Sequence, residues 1–119
     1  MKISSYKDLV VWQKSVALVT IIYRMSREFP REELYALTSQ LRRSAVSVPS
    51  NIAEGWGRKS TKEYIQFLKI ARGSLFEMET QIIIARNLDY IKDIACEQLL
   101  SDTEEIGKMT NALVNSLED

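Results

Sequence analysis

Apolar and polar positions alternate along this chain at steps of three and four residues, the spacing that lines up one face of an α-helix. Leu9, Trp12, Val16, Val19 and Tyr23 mark such a face over a first helix at about 6–28. Ser5 with Asp8 has the form of a capping box, and Phe29-Pro30 closes the segment, because proline disfavours helix at the residue before it. A second helix, about 31–56, opens near Pro30 or Arg31 with Glu32 and Glu33 in its first turn. Leu34, Leu37, Leu41, Ala45, Val48, Ile52 and Gly55 form its near-heptad seam. Pro49 sits inside that seam, where it removes one donor and crowds the carbonyl of Ala45. The reading is a kinked but continuous helix, with a break at Val48 as the alternative. Gly55-Trp56-Gly57 ends it, glycine tolerating a left-handed cap.

A third helix, about 61–87, starts at a second Ser-x-x-Glu, Ser60 with Glu63, and carries Tyr64, Leu68, Ala71, Leu75, Met78, Ile82 and Ala85 inward. Residues 87–92 form a turn. A fourth helix, about 94–117, points Leu99, Ile106, Met109, Leu113 and Leu117 inward. Rods of this length span ~35–40 Å at ~1.5 Å per residue, and their short connections favour antiparallel neighbours. The fold class is all-α: one domain over 1–119, an antiparallel up-down-up-down four-helix bundle. Two helices are apolar beyond one stripe. Ile65, Phe76 and Ile83 lie about a third of a turn from the seam of the third helix, and Ile70 and Ile84 elsewhere again. Tyr35, Val46 and Ala53 lie off the seam of the second. A bundle covers one stripe per helix, so the excess predicts a homo-oligomer.

Beside the seam of the second helix runs a polar stripe, Gln40, Arg43, Ser47, Asn51 and Glu54; on the third, Ser74, Glu77 and Gln81 share one side. Buried polar groups left unpaired cost about 1–3 kcal/mol each. One reading is a register-locking network built on an Arg43–Glu54 or Arg43–Glu77 link, with Asn51 and Gln40 satisfying the remainder. The other is a ligand or partner site. These residues also carry a resemblance. The run from Glu33 to Arg43, then Ser47-Val48-Pro49-Ser50-Asn51-Ile52-Ala53-Glu54-Gly55, then Gly73-Ser74-Leu75-Phe76-Glu77, resembles the four-helix-bundle family of proteins encoded in 23S ribosomal RNA intervening sequences. Tyr6, Leu9, Val11 and Trp12 match that family's opening. The resemblance covers nearly the whole chain. It implies an antiparallel bundle assembling as a ring, a homopentamer, and no established activity. A related branch comprises accessory proteins of diversity-generating retroelements, basic pentamers that bind RNA and a reverse transcriptase; the present chain departs from them in being neutral.

Net charge is zero but unevenly spread, +7 over residues 1–75 and −7 over 76–119. Either basic and acidic helices pair, or a basic face meets phosphate. Arg42, Arg43, Arg58, Lys59, Lys62, Lys69 and Arg72, with Trp56 to stack a base, are the candidate nucleic-acid residues. The chain has no histidine, which removes Ser-His-Asp and Cys-His arrangements, the usual zinc sites and the Glu-x-x-His of di-iron bundles. Gly55-Trp56-Gly57-Arg58-Lys59-Ser60-Thr61 only echoes a phosphate loop, since it follows a helix at the wrong spacing. No catalytic residue, metal or cofactor is expected, and the protein reads as a non-enzyme. The single cysteine, Cys96, fits a reducing compartment and a small, partly buried role. The opening residues are polar, no leader is expected, and the longest near-apolar run, 16–23, is too short for a bilayer span of ~20 residues. The expectation is a cytoplasmic protein without membrane contact. Its expected role is an oligomeric adaptor for RNA or a ribonucleoprotein, the alternative being a protein–protein scaffold.

Overall fold

The computed structural model describes residues 3–118. Four helices follow one another: α1 (Val10–Ser26), α2 (Leu37–Trp56), α3 (Thr61–Asn87) and α4 (Asp93–Glu118). Single 3-10 turns at Tyr6–Asp8 and Arg31–Glu33 precede α1 and α2. Consecutive helices pack side by side and α1 closes on α4, an antiparallel four-helix bundle measuring 44 × 25 × 21 Å. The tightest pairing is α2 with α3; α1 with α4 is the sparsest.

The sequence places the first two helix starts too early. At Ser5 the capping box forms, with Ser5 N donating to Asp8 Oδ2 at 3.2 Å, but it closes only a 3-10 turn, and Leu9 is extended before α1 begins. Pro30, Glu32 and Glu33 likewise build a 3-10 turn, with Glu33 N donating to Pro30 O at 2.9 Å. Leu34 is therefore outside the helix and exposed, and Tyr35 is 93% exposed. Glu33 then bridges the corner: its Oε1 accepts from Leu37 N at 3.4 Å and its Oε2 from Tyr90 Oη at 2.7 Å.

The α2 seam lies where the heptad pattern puts it, with Leu37, Leu41, Ala45, Val48, Ile52 and Gly55 all buried. Pro49 is accommodated within one continuous helix and is itself buried. Gly55 and Gly57 both keep negative φ, so neither is the left-handed cap expected. Gly55 has a different function. A Cβ there would stand 2.7 Å from Phe67 Cβ and 3.2 Å from Tyr64 O, so its hydrogen atom is what lets α2 and α3 approach. In α3 the seam from Leu68 to Ala85 is buried, with Tyr64 half-buried at its start. Ser60 Oγ accepts from Glu63 N at 3.2 Å, but the reciprocal half of the box is missing, because Glu63 turns toward Arg58.

The core stripe of α1 is displaced from the expected one, and that of α4 keeps the expected residues but adds hydroxyl positions at its centre. In α1 the buried residues are Val11, Ser15, Leu18, Ile22 and Ser26, while Val16 and Tyr23 are exposed and Leu9, Trp12 and Val19 pack at the margin. In α4 they are Cys96, Leu99, Thr103, Ile106, Thr110 and Val114, with Met109, Leu113 and Leu117 half-buried. Each stripe contains hydroxyl residues that satisfy themselves on the helix backbone: Ser15 Oγ donates to Val11 O at 2.7 Å and Thr110 Oγ1 to Ile106 O at 2.8 Å. So satisfied, a hydroxyl is buried at little cost and the stripe need not be wholly apolar.

The turn after α3 has Asp89 at φ 63°. Asp89 N donates to Arg86 O and Tyr90 N to Ala85 O, both at 2.9 Å, which is a Schellman closure with aspartate in the position glycine favours. Burial of Ile22, Leu41, Ile52, Leu68, Leu75, Met78, Ile82 and Ile106 drives the fold, at about 1.5–3 kcal/mol for each side chain. Ion pairs matter less. All are exposed, which limits each to about 0–1 kcal/mol, and among the described residues only Lys14–Glu105, at 2.9 Å, joins two of the long helices.

Candidate functional site

Six of the eight polar-stripe residues meet in one place. Gln40, Arg43 and Ser47 on α2 face Ser74, Glu77 and Gln81 on α3 across an open groove of about 450 Å³. Ser44, which the sequence reading passed over, completes the α2 wall and donates to Gln40 O at 3.0 Å. The groove sits just outside the α2–α3 seam, so its inner residues are buried and its outer ones reach solvent. Ser74 Oγ donates to Ser47 Oγ at 2.8 Å, tying the two helices at the floor. Asn51 lies one turn further along and donates to Ser47 O at 2.7 Å and Ser47 Oγ at 2.9 Å.

The expected arginine links are not made. Glu54 pairs instead with Arg58, at 2.8 Å, four residues on and just past the end of α2. Arg43 pairs with neither Glu54 nor Glu77, so the groove presents one cation and one anion on opposite walls without an internal partner among the described residues. Gln81 is 9% exposed and its Oε1 has no hydrogen-bond partner. On a helical wheel Ile70, Glu77 and Ile84 recur every seven residues along the outer rim of this wall. Both isoleucines are exposed.

The nucleic-acid candidates are dispersed. Arg42 is held against α1: its Nε donates to Ser26 Oγ at 2.8 Å, and its guanidinium lies 4.7 Å from the centre of the Tyr23 ring. Arg58 joins Glu54 and stands 4.9 Å from the Phe67 ring centre. Arg72 donates to Asn111 Oδ1 at 2.8 Å. Trp56 is half-buried and packs edge-on to Tyr6, so it is not offered for stacking. Lys59, Lys62 and Lys69 remain exposed and form no ion pair among the described residues. Lys62 and Lys69 are seven apart on one face of α3. No cluster of three or more His, Cys, Asp or Glu side chains able to hold a metal occurs among the described residues, and none of the described helices is long and apolar enough to cross a membrane.

This bundle, with its serine-tied groove, matches a known family model over residues 7–112, that of the 23S rRNA-intervening sequence protein. The chain belongs to that family. The match spans α1 to α3 and most of α4, so the groove lies inside the region family members share. A similar fold is found in the crystal structure of a protein of unknown function from the S23 ribosomal protein family of Bacteroides thetaiotaomicron. That relative is 25% identical, with a TM-score of 0.83, over 89% of this chain and 96% of its own. No curated protein matches the chain.

Proposed function

We propose that this member of the 23S rRNA-intervening sequence protein family is a non-enzymatic, self-assembling helical adaptor of the cytoplasm, its subunits forming a homopentameric ring. The observation that carries the reading is apolar exposure on more than one side of the bundle: Ile70 and Ile84 beside the groove, Phe76 toward α4, and Val10, Val16 and Ile21 on α1. Isolated exposed apolar residues are ordinary; several on neighbouring faces of a small bundle are the mark of an interaction surface. Sedimentation velocity at micromolar concentration tests the reading. The expected result is a multimer that Ile70→Lys with Ile84→Lys dissociates; a stable single-copy species of wild type refutes it.

A second reading, in which the assembly contacts RNA or a ribonucleoprotein, is favoured by the uncommitted Lys59, Lys62 and Lys69, and by the family's name. Structured RNA should then bind with steep salt dependence, and replacing the three lysines with glutamine should reduce the magnitude of the log–log slope by about 2–3. RNA binding undetectable at low salt would leave the protein–protein scaffold, for which a single protein partner retained after nuclease treatment is the support.

A further inference from the structure

A second cleft lies at the corner where α1 ends and α2 begins, about 200 Å³ in volume. Three arginines line it, beside Phe29, Pro30 and Leu34: Arg27 after α1, Arg31 in the 3-10 turn, and Arg42 in the second turn of α2. None of the three has a carboxylate within 4.0 Å among the described residues. The acids closest in sequence are Glu28 and Glu32, both exposed, and Glu33, already occupied by Tyr90 and Leu37. Thr38 also lines the cleft, is only 3% exposed, and its Oγ1 has no hydrogen-bond partner. A buried hydroxyl with nothing to bond is unusual in folded proteins and needs a reason. Thr38 also belongs to the first turn of α2. That helix has 20 residues and no acidic residue in its first turn; Glu33 Oε1 takes up Leu37 N from the preceding turn, and the N–H groups that follow, with the positive dipole end, add to the same arginine-lined corner.

We propose that this cleft binds a phosphate group. The donor set suits a tetrahedral anion better than a carboxylate. One guanidinium satisfies a carboxylate in two parallel bonds, whereas a phosphate has oxygens enough to engage several arginines, a hydroxyl and backbone N–H groups together. Arg42 is already oriented for this. Its bonds to Ser26 Oγ and Tyr23 O fix the guanidinium plane and leave further N–H groups to donate. The volume is ample for a phosphate group. The phosphate could come from a free phosphate compound or from a nucleic-acid backbone, and the chemistry of recognition is shared. The site lies within one chain and does not depend on the proposed assembly.

The test is titration of the intact protein with inorganic phosphate at low ionic strength, by calorimetry and thermal shift. Saturable binding of one phosphate per chain is expected. Arg27→Ala with Arg31→Ala should weaken it at least tenfold. Thr38→Val separates a binding role from a structural one: without phosphate it should melt at or above the wild-type temperature, because an orphaned hydroxyl has gone, yet its phosphate-induced rise should shrink. A short single-stranded RNA supplies the other arm. If it competes with phosphate and loses affinity in the double-arginine variant, the source is a phosphodiester; if it does not compete, the source is a free phosphate compound. The proposal is overturned by the lack of any saturable response up to about 10 mM phosphate, or by a response unchanged in the double-arginine variant.

Discussion

Gly55→Ala offers the sharpest test of how α2 and α3 meet. An added methyl would lie 2.7 Å from Phe67 Cβ, 3.0 Å from Tyr64 Cδ1 and 3.2 Å from Tyr64 O. Carbon atoms pack best at about 3.5–4.0 Å, so the helices must separate by a sizeable fraction of an ångström. Two of the three obstructing atoms are a Cβ and a backbone carbonyl, which no rotamer change can move. Overpacking of this kind costs about 1–3 kcal/mol. Against it stands the better helix propensity of alanine, worth about 1 kcal/mol. Gly73→Ala isolates the two effects, because Gly73 is also inside a helix and a Cβ there meets nothing within 4 Å. Gly73→Ala should therefore be stabilised by up to about 1 kcal/mol, and Gly55→Ala should fall below it by about 1–3 kcal/mol. Urea unfolding followed by circular dichroism, with both variants at one protein concentration, measures the gap. Equal stabilities within about 0.5 kcal/mol would refute the close-approach argument.

Asp89→Gly should stabilise the fold by about 0.5–1 kcal/mol, read from the same urea curves, because Asp89 holds a left-handed conformation that glycine adopts without strain. Gln81→Leu should be neutral or stabilising, since the unpartnered Oε1 disappears; a calorimetric scan showing a marked loss would mean that the amide is paired. Tyr90 donates to the Glu33 carboxylate, and that hydrogen bond is the main reason its pKa is raised above the ordinary value of 10.0. A raised pKa means the neutral phenol is favoured in the fold, so this stabilisation is complete below the ordinary value and disappears as pH climbs through the raised one. Melting temperature against pH should consequently fall more steeply above about pH 10 for wild type than for Tyr90→Phe, and parallel curves would count against the bond.

Helix α3 and the α2 seam were the legible parts because local and long-range signals coincide there. Ser60 marks the start of α3, the heptad steps mark its buried face, and Asp93 follows a short turn. The α1 face was misplaced, and the α4 face was drawn incompletely, for one reason. Ser15, Ser26, Thr103 and Thr110 look like surface residues in a hydropathy pattern, yet each hydroxyl returns to a backbone carbonyl three or four residues earlier and enters the core. Counting Ser and Thr as apolar-compatible within a helix would have revealed both stripes. The α2–α3 groove was visible as two polar stripes of matching period. Its pairing was not, because side-chain choice between Arg58 and Arg43 depends on geometry that spacing does not record. The arginine cleft was beyond a periodic reading, since Arg27, Arg31 and Thr38 come from a helix end, a 3-10 turn and a new helix.

The uneven packing between helix pairs has a mechanical outcome. With α2 locked to α3 at Gly55 and at the Ser47–Ser74 bond, and α1 held by α2 but resting only thinly on α4, the molecule resembles a stiff central hairpin whose outer two helices meet along a weak joint. Amide exchange would begin along the α1–α4 joint and reach the hairpin last. A load placed on that joint would therefore reshape one flank of the molecule while its spine stayed fixed.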